Sequence, residues 1–326
     1  MAIAYVQFEG VGGRVYAPEG PFGAAGNFPL LSFKPGSVVG GDAEGEFVYL
    51  LFSPVTSVTL NQGDALVWDQ SFIAVQSATG AGAHPFGACV GTLFLGGRVG
   101  DPAAITPGNA WSWTFTPGTY GIWVQRAGTS LLNLASINVQ TKPINTTAVA
   151  GQLNQPSSPL AGSMGIQGVY STLSTATFTA NTTNGSATLT NVSATKGLEI
   201  GVSLSGTGIA TGAIITDIQG STITMSLAAT ATNSAQTMTW ARGTFFCTTT
   251  NGSPVLTNVT TIKGVYPNQT LTGTGVSGTV LSISGNSAPY TITMSANASA
   301  SANNISVAAT GYYEAFIRWP YVTSQN

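Results

Sequence analysis

Short apolar runs separated by glycine- and proline-rich turns dominate the pattern along the chain, and they predict β-strands. Glu46–Phe52 is a nearly continuous apolar run typical of a buried strand, and Trp111–Phe115 alternates aromatic and polar residues with a period of two. The 41 glycines and 16 prolines punctuate such runs, as in small barrels and sandwiches. No segment has a convincing helical period. The pattern predicts an all-β protein with a small antiparallel β-barrel or sandwich, the base domain, over residues 44–175.

The first 43 residues predict an extended N-terminal arm. Large apolar side chains occur there among glycines and prolines that do not form a regular element. A flexible linker would not carry so many, so we expect them to be buried, either in an ordinary loop on the protein's own core or against a partner. The candidate contact residues are Tyr5, Phe8, Phe22, Phe28, Leu31 and Phe33.

A duplication lies in the C-terminal half. The run TNGSATLTNVSATKG begins at Thr183, and TNGSPVLTNVTTIKG begins at Thr250. Tandem similarity of this length indicates two copies of one small module. We therefore expect two tandem β-sandwich repeats, over residues 176–242 and 243–310.

The duplicated pattern also predicts which core positions are equivalent. Leu189 corresponds to Leu256, and Met225 in the first TITMS motif corresponds to Met294 in the second. Both pairs lie in strand-like runs between turns, so we expect all four side chains in the module cores.

The composition argues against a disordered chain, a nucleic-acid-binding protein and a membrane protein. Charged residues make up 6% of the chain and hydrophobic residues 43%, which is the reverse of the signature of disorder. The formal net charge is −2 and the basic residues are scattered, so we expect no nucleic-acid partner. There is no apolar run of about 18 residues and no visible signal peptide, so we expect no membrane association. Cys89 and Cys247 are expected to be buried free thiols, with a disulfide bridge between them as the alternative.

Catalytic and metal sites find little support. His84, the single histidine, lies in a glycine-rich loop without a nucleophile motif. Asp64 and Asp69 are an odd number of residues apart on a strand and should face opposite sides. Two cysteines and one histidine do not supply the usual set of zinc ligands. The acidic run 42–46 lacks the residue pattern of a 12-residue calcium-binding loop. The sequence therefore predicts no enzyme, no cofactor and no metal. The tryptophans expected in the core, rather than in a sugar-stacking platform, are Trp68, Trp111, Trp113 and Trp123.

A series of motifs, taken in order, resembles the head decoration, or cement, proteins of tailed phages. The likeness covers roughly residues 40–175 and 311–326, and it includes a closing strand with a Trp-Pro pair. The motifs are EFVY at Glu46, NQGDALVWD at Asn61, GACVG at Gly87, TYGIWVQRAG at Thr119 and the pair Trp319-Pro320.

The resemblance implies a structural virion protein that binds the exterior of a bacteriophage capsid and stabilises it. Its partners would be the major capsid protein and copies of itself, with a homotrimer favoured by analogy, and it would be made in the host bacterial cytoplasm. The repeats would be an insertion, and residues 311–326 would return as a strand to the base. The repeats themselves resemble immunoglobulin-like modules of phage surface proteins.

An adhesin of a head or tail fibre is the alternative interpretation. Its repeats would bind host cell-surface glycans through their hydroxyl and amide groups. The aromatic residues that could stack on sugars in the repeats are Trp240, Tyr266 and Tyr290.

Overall fold

The computed structural model describes residues 19–22, 35–41, 45–77, 87–94, 112–135, 144–154, 164–171, 174–195 and 197–325. Within these ranges all regular secondary structure is β-strand, which confirms the all-β class. The described residues form two compact units. The base comprises the described residues up to 171 together with 311–325, and the inserted unit comprises those from 174 to 310.

The base contains strands from both ends of the chain. They are β1 (Glu19–Phe22), β2 (Val38–Gly41), β3 (Gly45–Phe52), β4 (Val58–Asn61), β5 (Ala65–Trp68), β6 (Ile73–Gln76), β7 (Cys89–Phe94), β8 (Ser112–Phe115), β9 (Thr119–Asn133), β10 (Ile144–Thr146), β11 (Leu153–Asn154), β12 (Met164–Ser171) and β25 (Tyr312–Gln325).

Five strands of the base close into a ring. β9 pairs with β3, β3 with β6, β6 with β5 and β5 with β7, and β7 returns to β9. All of these pairings are antiparallel except β3–β6. Alternate residues of all five strands, among them Leu50, Leu66, Leu93 and Ile122, form one buried apolar cluster. The sequence predicts a small antiparallel barrel or sandwich; the ring is a small barrel, but its β3–β6 pairing is parallel.

The two-stranded sheet β4–β8 adds to the same core. Its residues Leu60 and Phe115 are fully buried in the apolar cluster of the five-stranded barrel. The ring of Phe115 makes edge-to-face contacts with Phe52 and with Tyr120, each at 5.0 Å between centroids. Such aromatic pairs stabilise a core beyond the area they bury.

The C-terminal strand β25 completes the base. It pairs with β9 from Tyr312 to Arg318 and with β12, where Ala315 lies opposite Ser171. This is the pairing that the sequence predicts for the segment after the second repeat. A second apolar cluster forms between β25 and strands β5, β7, β9, β10, β11 and β12. Because β12 leads towards the inserted unit and β25 follows it, the base is interrupted between two neighbouring strands.

The inserted unit contains the two repeats, each with six strands. The first repeat has β13 (Thr175–Thr182), β14 (Thr188–Leu189), β15 (Ser203–Gly206), β16 (Ile215–Gln219), β17 (Thr222–Met225) and β18 (Asn233–Ala241). The second repeat has β19 (Thr244–Thr249), β20 (Val255–Val259), β21 (Thr270–Gly273), β22 (Val276–Ser284), β23 (Tyr290–Met294) and β24 (Ala302–Thr310).

The two repeats share one strand order. The first is a sandwich of the sheets β13-β18-β15 and β14-β17-β16, and the corresponding strands of the second close into a barrel. The two repeats differ in how many residue pairs join their two sheets. Single bridges at Asn181↔Thr190 and Ser203↔Ile214 link the sheets of the first repeat, whereas β21–β22 is a full ladder in the second.

The predicted core equivalences are confirmed. Leu189 pairs with Ile223 on β17, and Leu256 pairs with Ile292 on β23, which is the same position in the second copy. Both leucines are fully buried, and Met225 and Met294 are buried as well. The duplicated pattern therefore encodes one core twice.

Charged groups connect the two repeats within the inserted unit. Glu199 of the first repeat forms an ion pair with Arg242, at the end of the same repeat. It also forms an ion pair at 3.3 Å with Lys263, which belongs to the second repeat. The Thr261 hydroxyl donates a hydrogen bond to the backbone carbonyl of Gly201. These contacts fix the junction between the repeats.

Candidate functional site

A β-bulge near the end of β25 places several large side chains on the outer face of the base. The pairing with β12 shifts register between Gln167 and Val169, and Trp319 has a φ of 45°. A bulge adds a residue to one strand and re-aims the side chains that follow it. Arg318 and Trp319 are consequently both exposed, although they are neighbours in the strand.

The indole of Trp319 is exposed but held on two sides. It is 55% exposed, its Nε1–H donates to Oε1 of Glu46 at 3.2 Å, and the Arg318 guanidinium lies 5.8 Å from its ring centroid. Glu46 also forms an ion pair with Arg126 through the same oxygen. A cation near an aromatic face is attracted by the ring quadrupole. The ring is therefore fixed by its neighbours while much of its surface faces solvent.

A shallow groove of about 230 Å³ lies beside this tryptophan. Tyr321 forms part of its wall and is 44% exposed, and its hydroxyl makes a 3.3 Å hydrogen bond with Oε1 of Gln167. The lining is aromatic and apolar apart from a guanidinium and a thiol, and it consists of Trp68, Cys89, Val90, Arg126, Trp319, Pro320 and Tyr321. We call this feature the Trp319 groove.

A second exposed surface lies on β6 of the base. Phe72, Ile73 and Val75 are between 38% and 47% exposed, whereas Ala74 between them is buried in the barrel. Ile73 and Val75 alternate with the buried Ala74 and therefore face the same side of the strand, where exposed apolar side chains are candidates for contact with a partner. We call these three side chains the β6 face.

The most perturbed carboxyl group, that of Asp64, is enclosed in the base. It accepts hydrogen bonds from the Asn61 N–H and Asn133 Nδ2, each at 2.8 Å, and from the Tyr312 hydroxyl at 3.1 Å. Burial raises the pKa of Asp64 to about 6, and these hydrogen bonds oppose the rise. Burial and the nearby Asp64 charge also raise the pKa of Tyr312, so its hydroxyl remains a donor. This network joins the start of β25 to the barrel, which is a structural role.

Most of the predicted arm contacts cannot be placed. Tyr5, Phe8, Phe28, Leu31 and Phe33 lie outside the described residues. Phe22 ends β1, where it pairs with Thr119 of β9. The arm's contact with a partner therefore stays a prediction.

The aromatic residues considered for sugar stacking are mostly in cores. Trp68 and Trp123 are buried in the base, Trp113 packs against the barrel cluster, and Trp111 lies outside the described ranges. In the repeats, Trp240 and Tyr266 are buried and Tyr290 is half-buried. Among the exposed aromatic residues in the described ranges, Trp319 of the base has the largest exposed fraction, 55%.

The cysteine prediction is half wrong. Both thiols are free, and Cys247 is buried, where desolvation raises its pKa to about 12. Cys89, by contrast, is exposed, because alternate residues of β7 face outwards and position 89 lies beside the bulge of β25.

Other candidate chemistry is sparse. His84 and residues 42–44 of the acidic run lie outside the described ranges, and the described residues contain no cluster of three or more potential metal ligands. Asp64 is buried and Asp69 is exposed. Both lie outside β5, whose four residues are all buried, so the prediction that they face opposite sides stays a prediction. None of the described residues belongs to a helix with the length and apolar character needed to cross a membrane.

The Trp319 groove was not among the predicted sites, although one signal was present. The run from Phe316 to Val322 contains Pro320, and prolines within strands are confined to edges and bulges. In the structure its residues alternate between exposed and buried except at Arg318-Trp319, which are both exposed. Such a break in a period of two is typical of a bulge. Comparison of the chain with family models, with curated proteins and with solved structures finds no match in any of the three.

Proposed function

We propose that this chain is a structural virion protein, a decoration subunit that binds the exterior of a bacteriophage capsid and stabilises it. The observation that carries the proposal is the construction of the base. Both of its apolar clusters consist of its own strands, and the inserted unit interrupts it only between the paired strands β12 and β25. The motifs that resemble decoration proteins, from Glu46 to Gly128 and at Trp319-Pro320, also lie in the base. An attachment domain that carries two surface modules as an insertion accounts for both facts.

The β6 face is the part of the base best suited to attachment. Its three exposed apolar side chains would lose contact with water against a capsid protein, which favours association. A stable interface covers about 800 Å² on each partner, so neighbouring elements must contribute as well. The N-terminal arm, with the six predicted contact residues, would supply this additional area on the capsid or on neighbouring copies in a homotrimer.

The mechanism is mechanical rather than chemical. A subunit bound across a boundary between capsomers adds interface area, and this area must be exposed again before the capsomers separate. The low charge of the chain limits its non-specific association with other charged surfaces. The immunoglobulin-like character of the repeats belongs to this proposal and would make them surface modules of the particle.

The fibre adhesin with glycan-binding repeats remains the competing function. Burial of Trp240 and Tyr266 removes two of the three aromatic side chains that would stack on sugars in the repeats. We therefore place attachment in the base rather than in the repeats.

Binding to phage heads tests the proposal. Heads prepared without this protein are mixed with the wild-type chain, with Ile73→Asp/Val75→Asp, and with the control Leu281→Asp, which alters a residue of β22 that is 54% exposed. We expect wild type and control to co-sediment with heads, to cover them in electron micrographs and to raise their resistance to heat, and the β6 variant to bind weakly. Binding confined to tails, or no binding to heads by a folded wild-type chain, would contradict the proposal.

A further inference from the structure

The Trp319 groove combines features of a preformed ligand site. An exposed indole is normally free to change rotamer, but this one is tethered to Glu46 at its N–H and lies close to the Arg318 guanidinium. The following residue, Pro320, restricts the backbone beside it. A ligand that stacks on this ring would therefore lose little energy to ordering the site, which is the advantage of preorganisation.

Hydrogen-bonding groups lie beside the ring and the groove. The two interactions of Glu46 both use Oε1, so that Oε2 has no hydrogen-bond partner among the described residues. Among the same residues, Arg126 hydrogen-bonds through Nε and Gln167 through its Oε1. Arg126 lines the groove, Glu46 contacts Trp319 and Gln167 contacts Tyr321, so a guanidinium, a carboxylate and an amide lie at the margin of an aromatic platform.

We propose that the Trp319 groove binds a neutral saccharide, with one sugar ring stacked on Trp319. A pyranose presents an apolar C–H face that matches the indole and neighbouring hydroxyls that both donate and accept hydrogen bonds. Among the residues that line the groove, Arg126 alone is charged, and Glu46 compensates its charge; Arg318 lies beside the Trp319 ring but is not part of the lining. This lining favours a neutral ligand over a phosphate or a nucleic acid. The volume of about 230 Å³ suits a single ring rather than a folded partner. This site is independent of capsid attachment and assigns glycan recognition to the base.

Glycan binding by the whole chain is measured on an array of bacterial and mammalian glycans, and solution titrations use the methyl glycosides of glucose, galactose, mannose and N-acetylglucosamine. Cys89 provides a local reporter because it is exposed and lines the groove, whereas Cys247 is buried and serves as an internal reference. We expect at least one saccharide to slow alkylation of Cys89 in a saturable manner and to change tryptophan fluorescence.

Two substitutions on β25 separate the groove from the rest of the surface. Trp319→Ala removes the platform, and Phe316→Ala is the matched control, because Phe316 is 49% exposed on the same strand but does not line the groove. We expect Trp319→Ala to weaken binding about tenfold or more, Glu46→Gln to weaken it, and Phe316→Ala to leave it unchanged. Circular dichroism, compared with that of the wild-type chain, establishes that each variant is folded.

Three results would overturn the proposal. The first is a folded wild-type chain that binds no saccharide on the array or in solution. The second is saccharide binding that Trp319→Ala leaves intact, because the sugar would then occupy another surface. The third is protection of Cys89 by a polyproline peptide and not by sugars, since aromatic grooves also bind such peptides. Each readout is separate from head binding, so failure here and failure of the proposed function are distinguishable.

Discussion

Trp319 donates its indole N–H to the carboxylate of Glu46, although 273 positions separate the two residues in the sequence. The contact spans strand β9. On one side of β9, Glu46 of β3 pairs with Ala127, and on the other side Arg318 of β25 pairs with the same residue. The two side chains therefore meet above one residue of the central strand, and the last strand of the base is tied to one of its first.

Removal of the inserted unit should leave a folded base. A variant in which a short Gly/Ser linker replaces residues 174–310 keeps both apolar clusters, and the strands to be joined are already neighbours at Ser171 and Ala315. Insertions between adjacent chain ends are commonly tolerated, and so is their removal. We expect a cooperative thermal transition and the near-ultraviolet circular dichroism of a packed aromatic core. A deletion variant that lacks both signals would show that the base depends on the repeats.

Leu189→Ala and Leu256→Ala should destabilise their own modules by similar amounts. Each removes a fully buried side chain at an equivalent position, so we expect a loss of about 2–5 kcal/mol in both cases. Hydrogen exchange of the amides in β13–β18 and β19–β24 measures each module separately. The control is Leu227→Ala, which alters a 42% exposed residue and should change exchange little. Unequal losses would mean that the two cores are packed differently.

Ala235→Asn should stabilise the first repeat. Ala235 has a φ of 50°, and the corresponding residue of the second repeat, Asn304, has a φ of 54°. A left-handed backbone costs alanine roughly 1–2 kcal/mol, and asparagine tolerates it better. We expect a gain of about 1 kcal/mol, the lower end of that cost, seen as slower exchange in β13–β18, and a comparable loss for Asn304→Ala in the second repeat. A loss of stability in Ala235→Asn would contradict this account.

The stability of the base should depend on the protonation of Asp64. Its pKa is about 6 in the folded chain against 3.8 for an ordinary aspartate, so the folded state holds the proton more tightly. The resulting stabilisation is fully present below about pH 4 and is lost as the pH rises through 6, by about 3 kcal/mol in total.

Urea unfolding between pH 4 and 8, followed by tryptophan fluorescence, measures this dependence. Asp64→Asn should abolish the part of this pH dependence that Asp64 contributes, even if the substitution also changes the free energy of unfolding by the same amount at every pH. Tyr312→Phe removes one hydrogen bond that favours the carboxylate, which raises the pKa of Asp64 in the folded chain further and should extend the loss to higher pH. Identical pH profiles for wild type and Asp64→Asn would refute the assignment.

Local pattern predicted the repeats and the barrel strands well. The equivalence of Leu189 and Leu256 follows from the duplicated sequence alone, and the strand-like run after the second repeat predicts that β25 pairs within the base. Features that depend on distant partners could not be predicted in this way. The environment of Asp64 is completed by Tyr312, 248 positions later, and the exposure of Cys89 depends on its position opposite Tyr321 of the bulged strand.

The insertion between β12 and β25 also orders events during synthesis. The ribosome produces the first twelve strands of the base, then both repeats, and only afterwards β25. At about 5–20 residues per second, the repeats take on the order of ten seconds to make, which is ample time for small local modules to fold. Throughout that interval β9 and β12 lack the strand that joins them, and the apolar residues later covered by β25 are exposed. The nascent base is thus most open to aggregation while its repeats are already folded.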